Sequence, residues 1–487
     1  MGNIAHSVKS KMAKHQPHIA LMPTVGMGHL IPFLRLASKL LSLSCKVSII
    51  TGTPFLTAAE DKYYSSFLSK YPQITHSQYP ILPSDNITGV DPFFLRYVAI
   101  SKSTHLAFQQ LALLPTKCTT VVCDYMMAGT ASTLASQLDL PCYIFITTSC
   151  RFFSFMAYLP TLMSQPETLD ATSSCIEIPG LGAFDFTSLP RVFLTPNHYI
   201  SKFTVSHALG YTEPSGFLFN SFESFEQETI SALNDGKVIS ALPPCIPIGP
   251  LEDCQVESSD RSLYLDWLDM QERESVVYVN FGSRTAMSSE VIRELGKGLE
   301  ESGFRFLWVV KTTKIDLEEK EGLSNVLGEE FMERVKGKGL ILKEWVVQNE
   351  ILSHQSIGGF FSHCGWNSVM EAAMIGVPVL AWPLHGDQRW NAELMEKAGL
   401  GLLERSWGYG LDKFVGSIKI AGMVRKLMTD KDLKSKVMSV KHSAHNAISL
   451  EGESHKNILH ILIEGNQFGK GISQEYSPHI VTESNSQ

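Results

Sequence analysis

A chain of 487 residues is too long for one hydrophobic core, and at roughly 100–200 residues per domain it implies two large domains. The net charge of −8 leaves no basic surplus for a nucleic-acid or membrane-surface binder. With 44% hydrophobic and 18% charged residues the chain reads as globular, and no apolar run is long enough for a membrane-spanning helix.

The N-terminal stretch MGNIAHSVKSKMAKHQ is basic and polar with no apolar segment behind it. No signal peptide is expected, and His6 stands where a myristoylation site wants Ser or Thr. Short β-branched runs then alternate with amphipathic stretches: HIALMPT (18–24), a helix from His29 to about Leu43, KVSIIT (46–51), TTVVCD (119–124), YIFITT (143–148) and FLFNS (217–221). The pattern starts again with SVVYVN (275–280), RFLWVV (305–310), GLILKE (339–344), GGFFS (358–362) and PVLAW (378–382). Near-continuous apolar strands separated by helical patterns indicate parallel α/β sheets covered on both faces. The expected organisation is a first domain at 1–245, an aperiodic linker rich in Pro, Ser and Asp at 246–262, and a second domain at 263–450. A helix at 451–466 is expected to pack back on the first domain, ahead of a flexible tail at 467–487.

Two further segments read as loops. Residues 311–323, KTTKIDLEEKEGL, form a charged excursion. Residues 164–200, around PGLGAFDF and TSLPRVFLTP, have the length of binding loops or lids. The nine cysteines include no C-x-x-C pair, so a zinc knuckle or thioredoxin-type motif is excluded, and they read as reduced thiols of a cytoplasmic protein.

Two doubly wound domains facing each other place a cleft between their strand C-terminal ends, where ligands bind. Motifs are therefore sought just after strands. Pro23-Thr24-Val25-Gly26-Met27-Gly28-His29 follows the first strand, but Ile31 breaks the G-x-G-x-x-G dinucleotide fingerprint. His29 can face the cleft from the helix start or simply cap that helix. Asp124, after TTVVC, can hold a histidine tautomer or cap the next helix at Met127. The one D-x-D, Asp430-Lys431-Asp432, lies among lysines and reads as a helix start rather than a metal–diphosphate clamp.

The most specific signal is WVVQNEILSHQSIGGFFSHCGWNSVMEAAMIGVPVLAWPLHGDQ, from Trp345 to Gln388. It resembles the signature box of plant family-one UDP-sugar glycosyltransferases at both ends, in spacing and at H-C-G-W-N-S…E. The resemblance extends over the whole chain, through the G-x-G-H opening, V-N-F-G-S (279–283), the linker and the terminal helix. It implies an α/β fold of two facing Rossmann-like domains, the GT-B type. The box is chemically coherent: HCGWNS follows a strand and opens a helix, so free N–H groups meet an anion there. His363, Gly365, Asn367 and Ser368 would serve the diphosphate, with Ser283 beside them. Trp345 would stack on uracil beside the backbone edge of Val346, and Trp366 would belong to the donor site; taken singly, either tryptophan could instead be core packing. Gln348 would reach the nucleoside and Glu371 the ribose hydroxyls, while Asp387 and Gln388 would hold the hexose. No metal and no cofactor are expected, UDP-glucose being a substrate.

MGHLIPFLRLA (27–37), DPFFLRYVAI (91–100), SWGYG (406–410) and the box end LHGDQR resemble the flavonoid C-glycosyltransferase subgroup; many O-forming relatives carry W-T-D-Q where His385-Gly386-Asp387-Gln388 stand here. The expectation is an inverting, UDP-glucose-dependent transferase acting on carbon of a phloroglucinol-type ring. His29 would be the general base and Asp124 its partner, with the acceptor among Phe93, Phe94, Phe152 and Phe193. A monomer without a nucleic-acid partner is expected. The rivals are O-glucosylation by the same dyad and a catalytically silent nucleotide-sugar-binding regulator, against which the retained His29 and Asp124 speak.

Overall fold

The computed structural model describes residues 16–54, 57–83, 90, 92–164, 175–195, 197–254, 263–282, 287–311, 322–410 and 413–473. Its strands are β1 (His18–Met22), β2 (Lys46–Thr53), β3 (Thr75–Pro80), β4 (Thr120–Asp124), β5 (Cys142–Ile146), β6 (Cys175–Ile178), β7 (Gly182–Asp185), β8 (Gly216–Phe219) and β9 (Cys245–Pro247). The second half contributes β10 (Val276–Asn280), β11 (Arg305–Val309), β12 (Gly339–Leu342), β13 (Ile357–Ser362), β14 (Val379–Ala381) and β15 (Gly401–Leu403). The helices that shape the site are α1 (Met27–Ser42), α2 (Pro92–Lys102), α3 (Cys150–Ser164), α4 (Tyr199–Ala208), α5 (Trp366–Ile375), α6 (Gln388–Lys397) and α7 (Glu453–Ser473).

One sheet has the order β3-β2-β1-β4-β5-β8-β9 and the other β12-β11-β10-β13-β14-β15; the strands in both pair in parallel. Both are Rossmann-like sheets flanked by helices, and together they form a GT-B fold. Strands such as HIALM, CYIFI and IGGFFS are buried along their whole length, as parallel strands covered on both faces must be. In each sheet the chain reverses its direction of growth once: between β1 and β4 in the first, between β10 and β13 in the second. Those are the switch points at which ligands of open α/β sheets bind.

The structure corrects the sequence reading at the margins. The segment expected to hold only loops contains the antiparallel hairpin β6–β7, turned through Gly180 and Gly182 at φ +80° and +79°, a short helix at Arg191–Leu194 and the first residues of α4. Strand β3 went unread because THSQYP is a polar edge strand with one neighbour, and β9 and β15 are three-residue edges. The stretch expected as linker begins inside β9; its residues 255–262 lie outside the described part, as do 312–321 of the charged excursion. Helix α7 runs through 473, past the point where a tail was expected. It returns to the first sheet, where Ser454 Oγ donates to Gly249 O (2.5 Å), Asn457 Nδ2 to Pro247 O (2.8 Å), and Tyr143 OH to Glu464 Oε2 (2.9 Å). Asp430 caps the helix Lys431–Ile448 by accepting from Leu433 N, the helix start expected of that D-x-D.

The two sheets are joined by aromatic packing. Trp390 of α6 belongs to the second half but sits in the core of the first, stacked on Phe184 at 4.4 Å, with its indole N–H donated to Ser188 O (2.9 Å). Such a pair contributes about 0.5–1.5 kcal/mol beyond the area it buries. It anchors the helix that follows Asp387. Among the described residues no helix is long and apolar enough to cross a membrane.

Candidate active site

Between the two sheets lies a cleft of about 820 Å³, within the range of small-ligand sites. Helix α1 opens on its floor directly after β1. Gly26 takes φ 105° at the helix N-cap, a conformation that favours glycine, and offers no side-chain cap. His29 lies in the first turn, between the rings of Tyr97 (5.0 Å) and Tyr125 (5.3 Å). Its Nδ1 is 2.8 Å from Oδ2 of Asp124, the fully buried last residue of β4. Oδ1 of the same carboxylate accepts from Met126 N at 2.9 Å, so Asp124 is both dyad partner and turn cap. Nδ1–H donated to the carboxylate leaves Nε2 as the basic nitrogen on a residue that lines the cleft.

The opposite wall is built by the loops after β10 and β13. Helix α5 begins at Gly365 with no side-chain cap, so its first N–H groups and its dipole are available to an anion. The His363 imidazole is wedged between Gly282 and Gly365: a Cβ at either position would stand 2.7 Å from its Nε2. Desolvation and the neighbouring charge of His385 push its pKa down to about 3, so it is a neutral hydrogen-bonding group. Ser283 lies outside the described residues. Asn367 Nδ2 donates to Gly28 O across the cleft at 3.4 Å; Pro32 has no N–H to give that carbonyl.

Trp345 is 45% exposed at the cleft edge, its free face set off by an edge contact from Tyr63 at 5.6 Å. Beside it Val346 is buried. Trp366 is only 3% exposed, packs against Phe225 and donates its indole N–H to Asn220 O (2.9 Å). Its side chain joins the two halves, and the residue also lines the cleft. Gln348 donates to Ser368 Oγ (2.9 Å) and Glu371 Oε2 (2.7 Å) and accepts from Asn280 Nδ2 (3.0 Å).

At the other end of the box, Asp387 accepts from Thr148 Oγ1 of the first half and from Asn391 Nδ2 (2.9 Å). Burial raises its pKa, although both bonds favour the ionised form. The Gln388 amide is anchored in the turn: its Oε1 accepts from Leu384 N (2.9 Å) and His385 N (3.0 Å), and its Nε2 lies 3.2 Å from His385 Nδ1, which leaves a second N–H of the amide on a residue that lines the cleft. It shapes the His385-Gly386 turn. Tyr409, from SWGYG, donates to Gly386 O at 2.7 Å, bringing two separate sequence stretches together.

Phe94, Phe152 and Phe193 line the first-domain part of the cleft with Met156, Ile200 and Phe203. Phe93 is a residue of α2 whose side chain lies outside the described residues. Sequence reasoning missed the sleeve of Tyr97 and Tyr125 around His29, Thr148 under Asp387, and Arg35. Only Arg35 carried a signal, as a lone charge among the apolar residues of MGHLIPFLRLA.

Residues 250–447 match the family model described as UDP-glucoronosyl and UDP-glucosyl transferase. The chain is 45% identical to UDP-glycosyltransferase 708C1 of Fagopyrum esculentum over 450 residues, 92% of this chain and 95% of that one. It is 39% identical to UDP-glycosyltransferase CGT of Oryza sativa subsp. indica, covering 91% and 95% of the two. Among solved structures it resembles LpCGTa in complex with UDP, at TM-score 0.81 and 37% identity over 92% of this chain and 99% of that one. TcCGT1 in complex with UDP gives TM-score 0.83 and 28% identity over 93% and 100%.

Proposed function

The chain belongs to the UDP-glucoronosyl and UDP-glucosyl transferase family and is a UDP-glycosyltransferase resembling the C-glycosyltransferase subgroup; from that premise we propose that it transfers glucose from UDP-glucose to a ring carbon of a plant phenolic of the phloroglucinol type. The observation that carries this reading is the His29–Asp124 pair at 2.8 Å, in a cleft whose one side is phenylalanine-rich and whose other side is the uncapped start of α5.

His29 Nε2 takes a phenolic proton, and Asp124 stabilises the imidazolium that results. The phenolate pushes electron density to its ortho carbon, which attacks the anomeric carbon as the bond to the UDP oxygen breaks. The ring then gives its C–H proton to solvent and regains aromaticity as a phenolate, whose oxygen recovers a proton from the His29 imidazolium. One inversion turns the α-linked donor into a β-linked product. The leaving diphosphate is met by the α5 N–H groups and by neutral His363. Trp345 stacks on the uracil, Glu371 takes the ribose hydroxyls, and Asp387 serves the hexose. No metal or cofactor enters this scheme. Phe94, Phe152 and Phe193 sandwich the acceptor rings, and Phe93 and Ser283 keep the acceptor and diphosphate roles their motifs imply.

The test is incubation with UDP-glucose and phloretin or 2-hydroxynaringenin, followed by acid treatment of the product. A glucoside that survives acid supports carbon transfer. Release of the aglycone would make the enzyme an O-glucosyltransferase using the same dyad, and absence of any product would overturn the acceptor class.

A further inference from the structure

Arg35 lies on α1, six residues beyond His29, and is 4% exposed. Its Nη2 donates to Oε1 of Glu371, and Asp253 Oδ1 stands 3.7 Å away. Desolvation opposes its charge, but the two carboxylates more than offset that and hold its pKa above the ordinary guanidinium value. A buried guanidinium persists only where carboxylates face it. Here the main one comes from the opposite half of the molecule, 336 residues along the chain.

Glu371 is held at both oxygens. Arg35 takes Oε1, and Gln348 Nε2 takes Oε2 at 2.7 Å. A carboxylate offers about four lone-pair sites, so one remains on each oxygen. Two acceptors in one plane, a carboxylate's width apart, match the two hydroxyls of a vicinal diol. Helix α1 is fastened to α5 at a second point, Gly28 O to Asn367 Nδ2 (3.4 Å), one turn of α5 before Glu371. The helix that carries the base thus also grips the helix that carries the diphosphate site.

We propose that Arg35 is a positioning residue of the donor site: from the acceptor-side domain it fixes the Glu371 carboxylate for the ribose diol and sets the second domain against the helix that bears His29. This rests on Glu371 being the ribose carboxylate, and the experiment separates the two claims. Calorimetry compares the affinities of UDP and 2′,3′-dideoxy-UDP in the wild type, Glu371→Gln, Arg35→Gln and Arg35→Lys. Because the readout is a ratio measured on one preparation, partial loss of folded protein does not move it.

The wild type is expected to prefer UDP by about tenfold or more, as for hydrogen bonds to a charged group. Glu371→Gln should abolish most of that preference, and Arg35→Gln should do the same. Arg35→Lys, which keeps the charge but not the planar fork, should retain part of it. An undiminished preference in both Arg35 variants beside its loss in Glu371→Gln would overturn the role of Arg35. An undiminished preference in Glu371→Gln would overturn the ribose reading and the proposal with it.

Discussion

Asp124 Oδ2 lies 2.8 Å from His29 Nδ1, while the other oxygen of the same carboxylate caps the turn that follows β4. Two readings of Asp124 compete in the sequence, helix cap and histidine partner, and the structure satisfies both with one group. The cap fixes the carboxylate, and the carboxylate fixes the tautomer that leaves Nε2 basic.

That double duty separates two substitutions. Asp124→Asn keeps an oxygen for Met126 N but loses the charge that stabilises the imidazolium. It should cut turnover about 10²–10⁴-fold, as for loss of general-base catalysis, with little change in Tm. Asp124→Ala should also lose about 1 kcal/mol of stability with the cap. His29→Ala should abolish nearly all turnover with UDP affinity within a few-fold of wild type. Rates, melting curves and UDP titrations check all three; normal turnover in His29→Ala would remove it as the base.

Trp345 is exposed at the cleft edge, so its removal should spare the fold. Trp345→Ala is expected to weaken UDP binding by about 1–3 kcal/mol, the scale of base–aromatic stacking. Unchanged UDP affinity with a lowered Tm would instead assign the indole to packing against Tyr63.

Asp387, to which we assign the hexose, meets the first domain through Thr148. Asp387→Ala should lower glucose transfer by about 1.5–3 kcal/mol, the worth of a hydrogen bond to a charged group, with UDP affinity nearly intact. Side-by-side measurement of hexose turnover and UDP binding decides this. Equal losses in both would mean that Asp387 only holds the domains together.

His363 gives the pH dependence a sign. Its folded pKa, near 3, lies below the ordinary histidine value of 6.5, so in that window the unfolded chain binds the extra proton. Stability is therefore lost as pH falls from 6.5 towards 3. His363→Gln removes that proton, and its Tm should fall less steeply over the same range than that of the wild type. Parallel Tm–pH curves would show that His363 is not desolvated in solution.

Activity is expected to persist in excess EDTA, since the diphosphate is assigned to the uncapped start of α5 and to His363. Loss of turnover restored by Mg²⁺ or Mn²⁺ would overturn that assignment.

The sequence by itself determined the repeated parallel architecture, because strands buried on both faces leave continuous apolar runs such as CYIFI and IGGFFS. It also located His29, Asp124 and the box from Trp345 to Gln388, because residues just after strands, at glycine-opened helix starts, form a local pattern. Edge strands such as THSQYP escaped it, since a strand with one neighbour carries little apolar signature. Tertiary structure alone decided what each side chain is committed to. Trp366 donates its indole N–H to Asn220 O of the first half. Arg35 finds Glu371 across the cleft, and Asp387 finds Thr148. These partners lie 146 to 336 residues apart in the chain and meet only when the two sheets pack. A buried charge or amide must be paired, but the local sequence does not say with what.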